Sequence, residues 1–238
     1  MARKVKTIME NGIDKREVGY YSTPSFVAQY LTQEMLSINP HGTWVLDPAV
    51  GKEELLEEFY RRGKAIDSYD IIRHCEHKMS NFCQKNFIEV YADFVNHHFF
   101  SSEATRYDYM IANPPYNCHE INYIKENKKW LNSLFPVGAY NMYSIFLSAM
   151  ISMAKDGCLI GVIISDSFLT SNFHSKLREQ ILSTCSIHQI ILCPTNLFWN
   201  QYADVRTCIL ILQKGKKYQS DVRISNRPNS LKVFKDIL

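Results

Sequence analysis

Four consecutive residues, Asn113, Pro114, Pro115 and Tyr116, place an amide, a rigid backbone and an aromatic ring in one short turn. Residues 107–112 before them are mostly aromatic or apolar and predict a buried strand, which ends at the first proline because proline has no N–H to donate. The prolines also set the direction of the Pro114 carbonyl. That carbonyl and the Asn113 amide oxygen can accept the two hydrogens of a planar amino group, while Tyr116 stacks on its ring. The turn therefore predicts a site for an exocyclic amine or an amide, although a strand-ending turn with an exposed tyrosine is the alternative.

Three aspartates, Asp47, Asp70 and Asp93, follow three predicted strands earlier in the chain. The carboxyl ends of parallel strands form the edge at which α/β sheets bind ligands. A carboxylate after the second strand can accept hydrogen bonds from both ribose hydroxyls, which predicts that role for Asp70. Any one of these acids could instead cap the next helix. Three of them in this order favour a ligand that contains a nucleoside. The sequence has no Walker loop and no Gly-x-Gly-x-x-Gly loop, which weakens the interpretation as a nucleotide-hydrolysing or NAD-binding protein.

Strands and helices alternate along the chain, which predicts an α/β sheet. The apolar run at 158–164 shows no alternation, as expected of a strand buried on both faces of a parallel sheet. Thr23 and Pro24 suit the cap and the first position of a helix. No clear element is predicted for residues 117–140. The predicted strands are 43–46, 64–69, 88–91, 107–112, 158–164, 187–192 and 205–212, and the predicted helices are 24–37, 53–62, 75–85, 141–155 and 171–184.

Composition agrees with one soluble domain. The chain has 238 residues, 46% hydrophobic and 21% charged, and a net charge of +3 that permits a local nucleic-acid patch without requiring one. No apolar run approaches the ~20 residues of a membrane helix. The first residues lead into no apolar stretch, so we expect no signal peptide. Seven dispersed cysteines without a Cys-x-x-Cys pair predict free thiols in a reducing cytoplasm.

A zinc site is the other chemistry that the residue types suggest. His74, Cys75 and His77 lie close together and Cys83 follows, but no second cluster completes four ligands at a familiar spacing. We therefore expect no metal and interpret this stretch as the solvated face of a helix.

Several motifs together resemble the N6-adenine DNA methyltransferases of γ motif order, over roughly residues 19–214. Thr23-Pro24 resembles the first motif of that family, and residues 47–51 resemble its Asp-Pro-x-x-Gly turn. The Asn-Pro-Pro-Tyr turn comes next. Residues 140–146 are similar to the family's Tyr-Asn-x-Tyr-x-x-Phe segment, and residues 157–169 resemble its block ending in Asp-Ser-Phe-Leu.

The resemblance implies a class I Rossmann-like methyltransferase fold, with a mostly parallel seven-stranded sheet and helices on both faces. It also implies transfer of a methyl group from S-adenosylmethionine to N6 of an adenine flipped out of DNA, as in restriction-modification systems. The implied catalytic residues are Asn113, Pro114, Pro115 and Tyr116. The implied cofactor-binding residues are Thr23, Asp47, Ala49, Gly51, Asp70, Ile71, Asp93, Phe94 and Asn113, with Asp47 and Gly51 near the methionine part and Asp93 and Phe94 near the adenine.

Further residues are implied in DNA binding. The resemblance places Phe198 against the flipped adenine, although a core aromatic is the alternative for this residue. Lys125, Lys128 and Lys129 are predicted to meet phosphates, and a solvated charge run is the equal alternative.

The chain departs from the family pattern at two places. Glu53 stands where many relatives have a second glycine. Relatives also often continue into a target-recognition domain, for which residues 215–238 are too short. We therefore predict an arm at 1–18, a catalytic domain at 19–214 and a tail at 215–238. A natural catalytic core, a subunit with a separate recognition partner and a shortened chain all remain open.

Two other functions fit the Asn-Pro-Pro-Tyr turn. Methyltransferases that act on RNA or on a release-factor glutamine present the same turn, but the Thr-Pro opening and the Asp-Pro turn favour the DNA enzymes. An idle DNA-binding subunit is the third possibility. The intact turn counts against it, because an idle site has no need of these residues.

Overall fold

The fold is a single mixed sheet with helices on both faces. A computed structural model describes residues 21–98, 105–116, 119–198, 205–218 and 221–238. Its strands are β1 (Trp44–Asp47), β2 (Ala65–Asp70), β3 (Asn81–Gln84), β4 (Tyr109–Ala112), β5 (Leu159–Ser165), β6 (Cys185–Leu192), β7 (Thr207–Lys214) and β8 (Arg223–Ser225). Its helices are α1 (Ser25–Ile38), α2 (Glu57–Arg61), α3 (Phe87–His98), α4 (His119–Glu126), α5 (Lys128–Leu134), α6 (Met142–Met153), α7 (Ser175–Thr184) and α8 (Leu231–Ile237).

The strand order is β3-β2-β1-β4-β5-β7-β6-β8. β7 is antiparallel to both of its neighbours, and the other pairs are parallel. The predicted mostly parallel α/β sheet is thus confirmed, with eight described strands instead of seven because β8 adds an edge. The order of strands reverses between β1 and β4, and ligands of such sheets bind at the carboxyl ends of strands beside this point.

Strand β4 shows how the two faces are covered. Its four residues are all buried: Met110 and Ala112 pack into the core under α3, α5, α6 and α7, while Tyr109 and Ile111 pack into the core under α1, α2 and α8. Because both faces of the strand are covered, its sequence is apolar without alternation. None of the helices in the described part of the chain has the length and apolar composition needed to cross a membrane.

The region between β2 and α3 differs from the prediction. The predicted helix 75–85 is wrong, because residues 71–80 are an irregular connection and 81–84 form β3. The predicted strand 88–91 is also wrong and lies within α3. β3 is a short edge strand with three exposed residues of four, so its sequence carries no apolar pattern. Residues 117–140, for which no element was predicted, contain α4 and α5.

The C-terminal residues pack against the sheet and α1. β8 pairs with β6, and Arg223 donates a hydrogen bond to the Tyr30 hydroxyl at 2.9 Å. Phe234 of α8 is buried and meets Phe26 of α1 edge-on, with ring centroids 6.1 Å apart. The division into arm, catalytic domain and tail stays a prediction, and these contacts extend the packed structure past residue 214.

Candidate active site

A cavity opens at the carboxyl ends of four neighbouring strands, where the reversal of strand order predicts a ligand site. Thr23 contributes to it from the segment before α1, and Met142 and Phe146 contribute from α6. The residues that line it from the strand ends are 48–51 after β1, Asp70 and Ile71 after β2, Asn86 and Phe87 after β3, and Asn113 and Pro115 after β4.

Asp47 lies behind the turn that follows β1. Its carboxylate is fully buried, and Oδ1 accepts a hydrogen bond from the Ala49 N–H at 3.0 Å. Burial raises the pKa of this carboxyl well above its ordinary value. Its Oδ2 has no hydrogen-bond partner among the described residues. The structure thus shows Asp47 shaping the turn, and its predicted contact with the methionine part of a cofactor stays a prediction.

Asp70 is at the end of β2 and faces the cavity, as predicted. Its Oδ2 accepts from the Gly51 N–H at 3.0 Å, and its Oδ1 accepts from the Ile72 N–H at 3.1 Å. Gly51 has φ +54, a conformation that favours glycine, so the turn after β1 can approach this carboxylate closely. These two backbone bonds fix the carboxylate at the cavity wall, beside the exposed Ile71.

The prediction for Asp93 and Phe94 is wrong in position. Asp93 is an exposed residue of α3, and it forms an ion pair with Lys85 at 2.7 Å that lowers the pKa of its carboxyl. Phe94 packs beside Tyr91, with ring centroids 6.4 Å apart. Neither lines the cavity, which α3 reaches with its first residue, Phe87, and not with these later positions.

Asn86 and Phe87 take the place at the cavity that was predicted for Asp93 and Phe94. Asn86 Oδ1 accepts from the Ile88 N–H at 3.0 Å and so caps α3, while its Nδ2 donates to the Tyr123 hydroxyl at 3.2 Å. The Phe87 ring lies 5.3 Å from that of Phe146. The sequence held a signal for this arrangement, because a capping asparagine stands before apolar residues at helical spacing.

The Asn113 amide is held in one orientation. Its Nδ2 donates to the Tyr21 carbonyl and to Thr23 Oγ1, both at 3.0 Å, so Oδ1 is the acceptor that the group presents on its other side. Tyr116 donates its hydroxyl to this Oδ1 at 2.6 Å and also to the Ile163 carbonyl. The predicted capping of α1 by Thr23 is wrong: the helix begins at Ser25 without a side-chain cap, and the Thr23 hydroxyl accepts from Asn113 instead.

Three aromatic rings meet beside this turn. The Tyr116 ring centroid is 6.1 Å from that of Tyr21 and 6.3 Å from that of Phe198, and Tyr21 and Phe198 are 6.4 Å apart. Phe198 is only 1% exposed. The structure therefore brings Phe198 beside Tyr116, and a contact of Phe198 with a flipped base stays a prediction.

Comparison with known proteins establishes the family. The model of the N-6 DNA Methylase family matches residues 9–236. The chain belongs to this family. The resemblance to N6-adenine DNA methyltransferases is thereby confirmed.

Among curated relatives, the modification methylase CviBIII of Paramecium bursaria Chlorella virus NC1A is 26% identical over 211 residues, covering 84% of this chain and 51% of that protein. The type II methyltransferase M.BanIII of Aneurinibacillus aneurinilyticus is 27% identical over 260 residues, covering 97% of this chain and 44% of that protein. The chain thus spans about half the length of these relatives.

Solved structures agree on the fold. A protein from Listeria monocytogenes assigned to the class I S-adenosylmethionine-dependent methyltransferases superposes with a TM-score of 0.66 at 18% identity, covering 92% of this chain and 70% of that one. The EcoKI M protein of a type I restriction enzyme gives a TM-score of 0.58 at 18% identity, covering 83% and 44%. The predicted class I methyltransferase fold is confirmed.

The three lysines of this N-6 DNA methylase chain that were predicted to meet phosphates lie on the helices after the Asn-Pro-Pro-Tyr turn. Lys125 is in the last turn of α4, and Lys128 and Lys129 begin α5. All three are exposed. Their contact with DNA stays a prediction.

The predicted solvated helix around His74 and His77 is wrong, because this segment packs on the turn after β1. His77 Nε2 is 3.0 Å from the Gly51 carbonyl oxygen, and its ring stacks on Phe82 at 3.8 Å. Within the ranges that the structure describes, no group of three or more His, Cys, Asp or Glu side chains is placed to hold a metal ion.

Proposed function

We propose that this chain is the catalytic part of a DNA methyltransferase that uses S-adenosylmethionine to methylate N6 of adenine. The observation that carries the proposal is the oriented amide of Asn113, a residue that lines the same cavity as Asp70. Membership in the N-6 DNA Methylase family supports the same chemistry.

The residues at the cavity fit S-adenosylmethionine. The Asp70 carboxylate is fixed at the end of β2, where it can accept hydrogen bonds from the ribose hydroxyls. Asn86 and the Phe87 ring follow β3 and suit the edge and face of an adenine. Thr23 and the turn of Ala49 and Gly51 are left for the methionine part, to which glycine allows close approach.

The bound cofactor would supply an electrophilic methyl group on a positively charged sulfur. The amino group of adenine is a weak nucleophile because its lone pair is delocalised into the ring. Acceptance of its two hydrogens by Asn113 Oδ1 and the Pro114 carbonyl favours a pyramidal nitrogen and stabilises the positive charge that develops on it. Binding of the adenine and the cofactor in one site would also supply the orientation that the transfer needs. The methylated nitrogen is acidic, so its proton needs no strong base.

Base flipping is the proposed route to the site, because N6 cannot be reached inside a duplex. The ring of Tyr116 would stack on the flipped adenine, and Phe198 beside it would support or extend this contact. In the structure the Tyr116 hydroxyl occupies Asn113 Oδ1, the acceptor that N6 needs. We propose that the incoming adenine displaces this hydroxyl from Oδ1.

Substitutions of Tyr116 separate the ring from the hydroxyl. Tyr116→Phe keeps the stacking ring and removes the competing donor, so we expect kcat/KM for DNA equal to or above that of the wild type. Tyr116→Ala removes stacking worth about 1–3 kcal/mol per base, so kcat/KM should fall about 5- to 150-fold. Steady-state kinetics on an adenine-containing duplex decide this. A tenfold loss in Tyr116→Phe would contradict the proposed displacement.

The lysine segment predicts a salt effect. If Lys125, Lys128 and Lys129 each neutralise a phosphate, their joint replacement by glutamine makes the negative slope of log K against log salt shallower by about 0.9 for each phosphate that is no longer neutralised. Binding of a labelled duplex from about 50 to 200 mM salt, a range over which such ion pairs weaken markedly, measures the slope. The control with the same charge change is the joint replacement of Lys64, Lys216 and Lys217. These lysines lie at the amino ends of the parallel strands, away from the cavity. If the two triple variants had equal slopes, Lys125, Lys128 and Lys129 would be solvated charges that do not contact phosphates.

Target recognition is proposed to come from a further domain or a separate subunit. The chain spans about half of the relatives that it matches, and one relative is the methylase subunit of the type I restriction enzyme MjaVII of Methanocaldococcus jannaschii, 27% identical over 192 residues and covering 72% of this chain and 33% of that protein. DNA is thus the proposed substrate and such a recognition unit the proposed partner.

Labelled methyl transfer tests the proposed function. The chain is incubated with methyl-labelled S-adenosylmethionine and unmethylated DNA, RNA or a release factor, and the products are digested and identified. Label in N6-methyladenine from DNA supports the proposal. Label in RNA or in a release-factor glutamine would show that this molecule, and not DNA, is the substrate. Cofactor binding without transfer to any of them, also after addition of a recognition subunit, would indicate an idle subunit.

A further inference from the structure

Glu53 adopts a backbone conformation that glutamate rarely takes. It has φ +64, and it is the one non-glycine residue at positive φ in the described ranges. This left-handed region is sterically costly for a residue with a Cβ atom. The side chain is also only 3% exposed. A glutamate is thus held in a strained and buried place.

The carboxylate of Glu53 binds the end of the connection between β2 and β3. Its Oε2 accepts from the Lys78 N–H at 3.0 Å, and its Oε1 accepts from the Met79 N–H at 3.1 Å. Ser80 Oγ donates to Oε1 at 2.7 Å and lies 2.7 Å from Ser68 Oγ of β2. Hydrogen bonds to an ionised acceptor are among the strong ones, and together they hold the residue in its strained conformation.

The connection that Glu53 binds, residues 71–80, is one wall of the cavity. Ile71 and His74 line the cavity directly. His77 reaches the Gly51 carbonyl from the same connection, close to the Gly51 N–H that bonds Asp70. The turn after β1 and the 71–80 wall are therefore joined at two places, through His77 and Gly51 and through Glu53 and residues 78–80.

We propose that Glu53 is a positioning residue that fixes the 71–80 wall and thereby sets affinity for the cofactor. The inference rests on the proposed binding of S-adenosylmethionine in this cavity. Glu53 does not line the cavity, and its side chain bonds the wall, so the effect is transmitted through the backbone. Loss of the carboxylate frees the wall and weakens binding, while the Asn-Pro-Pro-Tyr turn and the transfer step are unchanged.

Glycine and glutamine substitutions test this role. Glu53→Gly removes the carboxylate but also the strain, since glycine adopts positive φ readily, so the variant should still fold, with a Tm lowered by the loss of the hydrogen bonds. We expect its Kd for S-adenosylmethionine to rise about tenfold or more, with kcat at saturating cofactor within about twofold, since several charge-assisted hydrogen bonds are removed away from the reacting atoms. Glu53→Gln keeps the length of the side chain and one carbonyl oxygen, so its Kd should lie between those of the wild type and of Glu53→Gly.

Hydrogen exchange without cofactor gives an independent readout. The amides of Lys78 and Met79 should exchange faster in Glu53→Gly, because their acceptor is gone. Glu57→Gln is the control, since Glu57 is exposed on α2 and pairs with Arg61. It should change neither Kd nor exchange.

The outcomes separate this inference from the proposed function. A wild-type chain that binds no S-adenosylmethionine would overturn the proposed cofactor and with it the effect of Glu53 on affinity. Unchanged exchange at Lys78 and Met79 in Glu53→Gly would overturn the fixing of the wall, whatever the cofactor. A Glu53→Gly variant with wild-type Kd, or one whose kcat falls as much as its affinity, would overturn the positioning role.

Discussion

Replacing Asn113 with alanine is expected to lower kcat for methyl transfer by about 100- to 1000-fold, the usual effect of removing one preorganised group that stabilises developing charge. The amide oxygen is the side-chain acceptor that would face N6, and the Tyr21 carbonyl and Thr23 hydroxyl hold it in that orientation. The Pro114 carbonyl, the proposed second acceptor, is unaltered in this variant. The loss should therefore be large but incomplete.

Single-turnover transfer at saturating cofactor and DNA measures this effect on the chemical step alone. The cofactor Kd of Asn113→Ala should stay within about tenfold of the wild type, because Asp70 and the turn after β1 are unaltered. Asn229→Ala is the matched control, since Asn229 is an exposed residue before α8 and should have wild-type kcat. If Asn113→Ala retained more than a tenth of wild-type kcat, the amide would not be the acceptor on which the reaction depends.

The parts of the fold that the sequence predicted are those with a strong local pattern. Central strands such as β4 and β5 are covered on both faces, so each is a continuous apolar run in the sequence. The Asn-Pro-Pro-Tyr turn follows β4 as expected, because proline cannot continue the ladder. Asp70 likewise stands at the end of β2 and at the cavity. Family membership was also predictable, since these motifs occur in a fixed order.

The error at Asp93 has a physical cause. Residues 88–91 alternate apolar and polar for the first three positions, which fits a strand, but Phe87, Ile88 and Tyr91 also share one face of a helix, and the core buries that face. The true strand, β3, is an exposed edge strand and has no apolar signal. The prediction of an aspartate at the end of each successive strand was therefore extended to Asp93, which lies in a helix.

Contacts between remote segments were beyond any local pattern. Thr23 and Asn113 are 90 residues apart, and nothing near either residue shows that one orients the other. Glu53 was recognised as unusual from its position, but its bonds to residues 78–80 depend on an irregular connection that the sequence suggested to be a helix. Such pairings arise only when the sheet order brings the strand ends together.

The Asp70 carboxylate at the end of β2 gives the second large prediction. Asp70→Asn is expected to raise the Kd for S-adenosylmethionine about 10- to 100-fold, the effect of removing charged hydrogen bonds worth roughly 1.5–3 kcal/mol. An amide has one acceptor oxygen, so it cannot serve both ribose hydroxyls and the Gly51 N–H that Asp70 now binds. Because Asp70 is not at the reacting atoms, kcat at saturating cofactor should change less than Kd.

Asp93→Asn is the decisive comparison, because it makes the same chemical change as Asp70→Asn. The sequence predicted that Asp93 contacts the cofactor, but in the structure it does not line the cavity. Asp93 is exposed on α3 and paired with Lys85, so its Kd should match the wild type. Isothermal titration of both variants measures the two constants under one condition. Weakening by Asp70→Asn alone would locate the nucleoside between β2 and Asn86. Equal weakening by Asp93→Asn would mean that α3 contacts the cofactor, and the assignment of Asn86 and Phe87 to its adenine would be wrong.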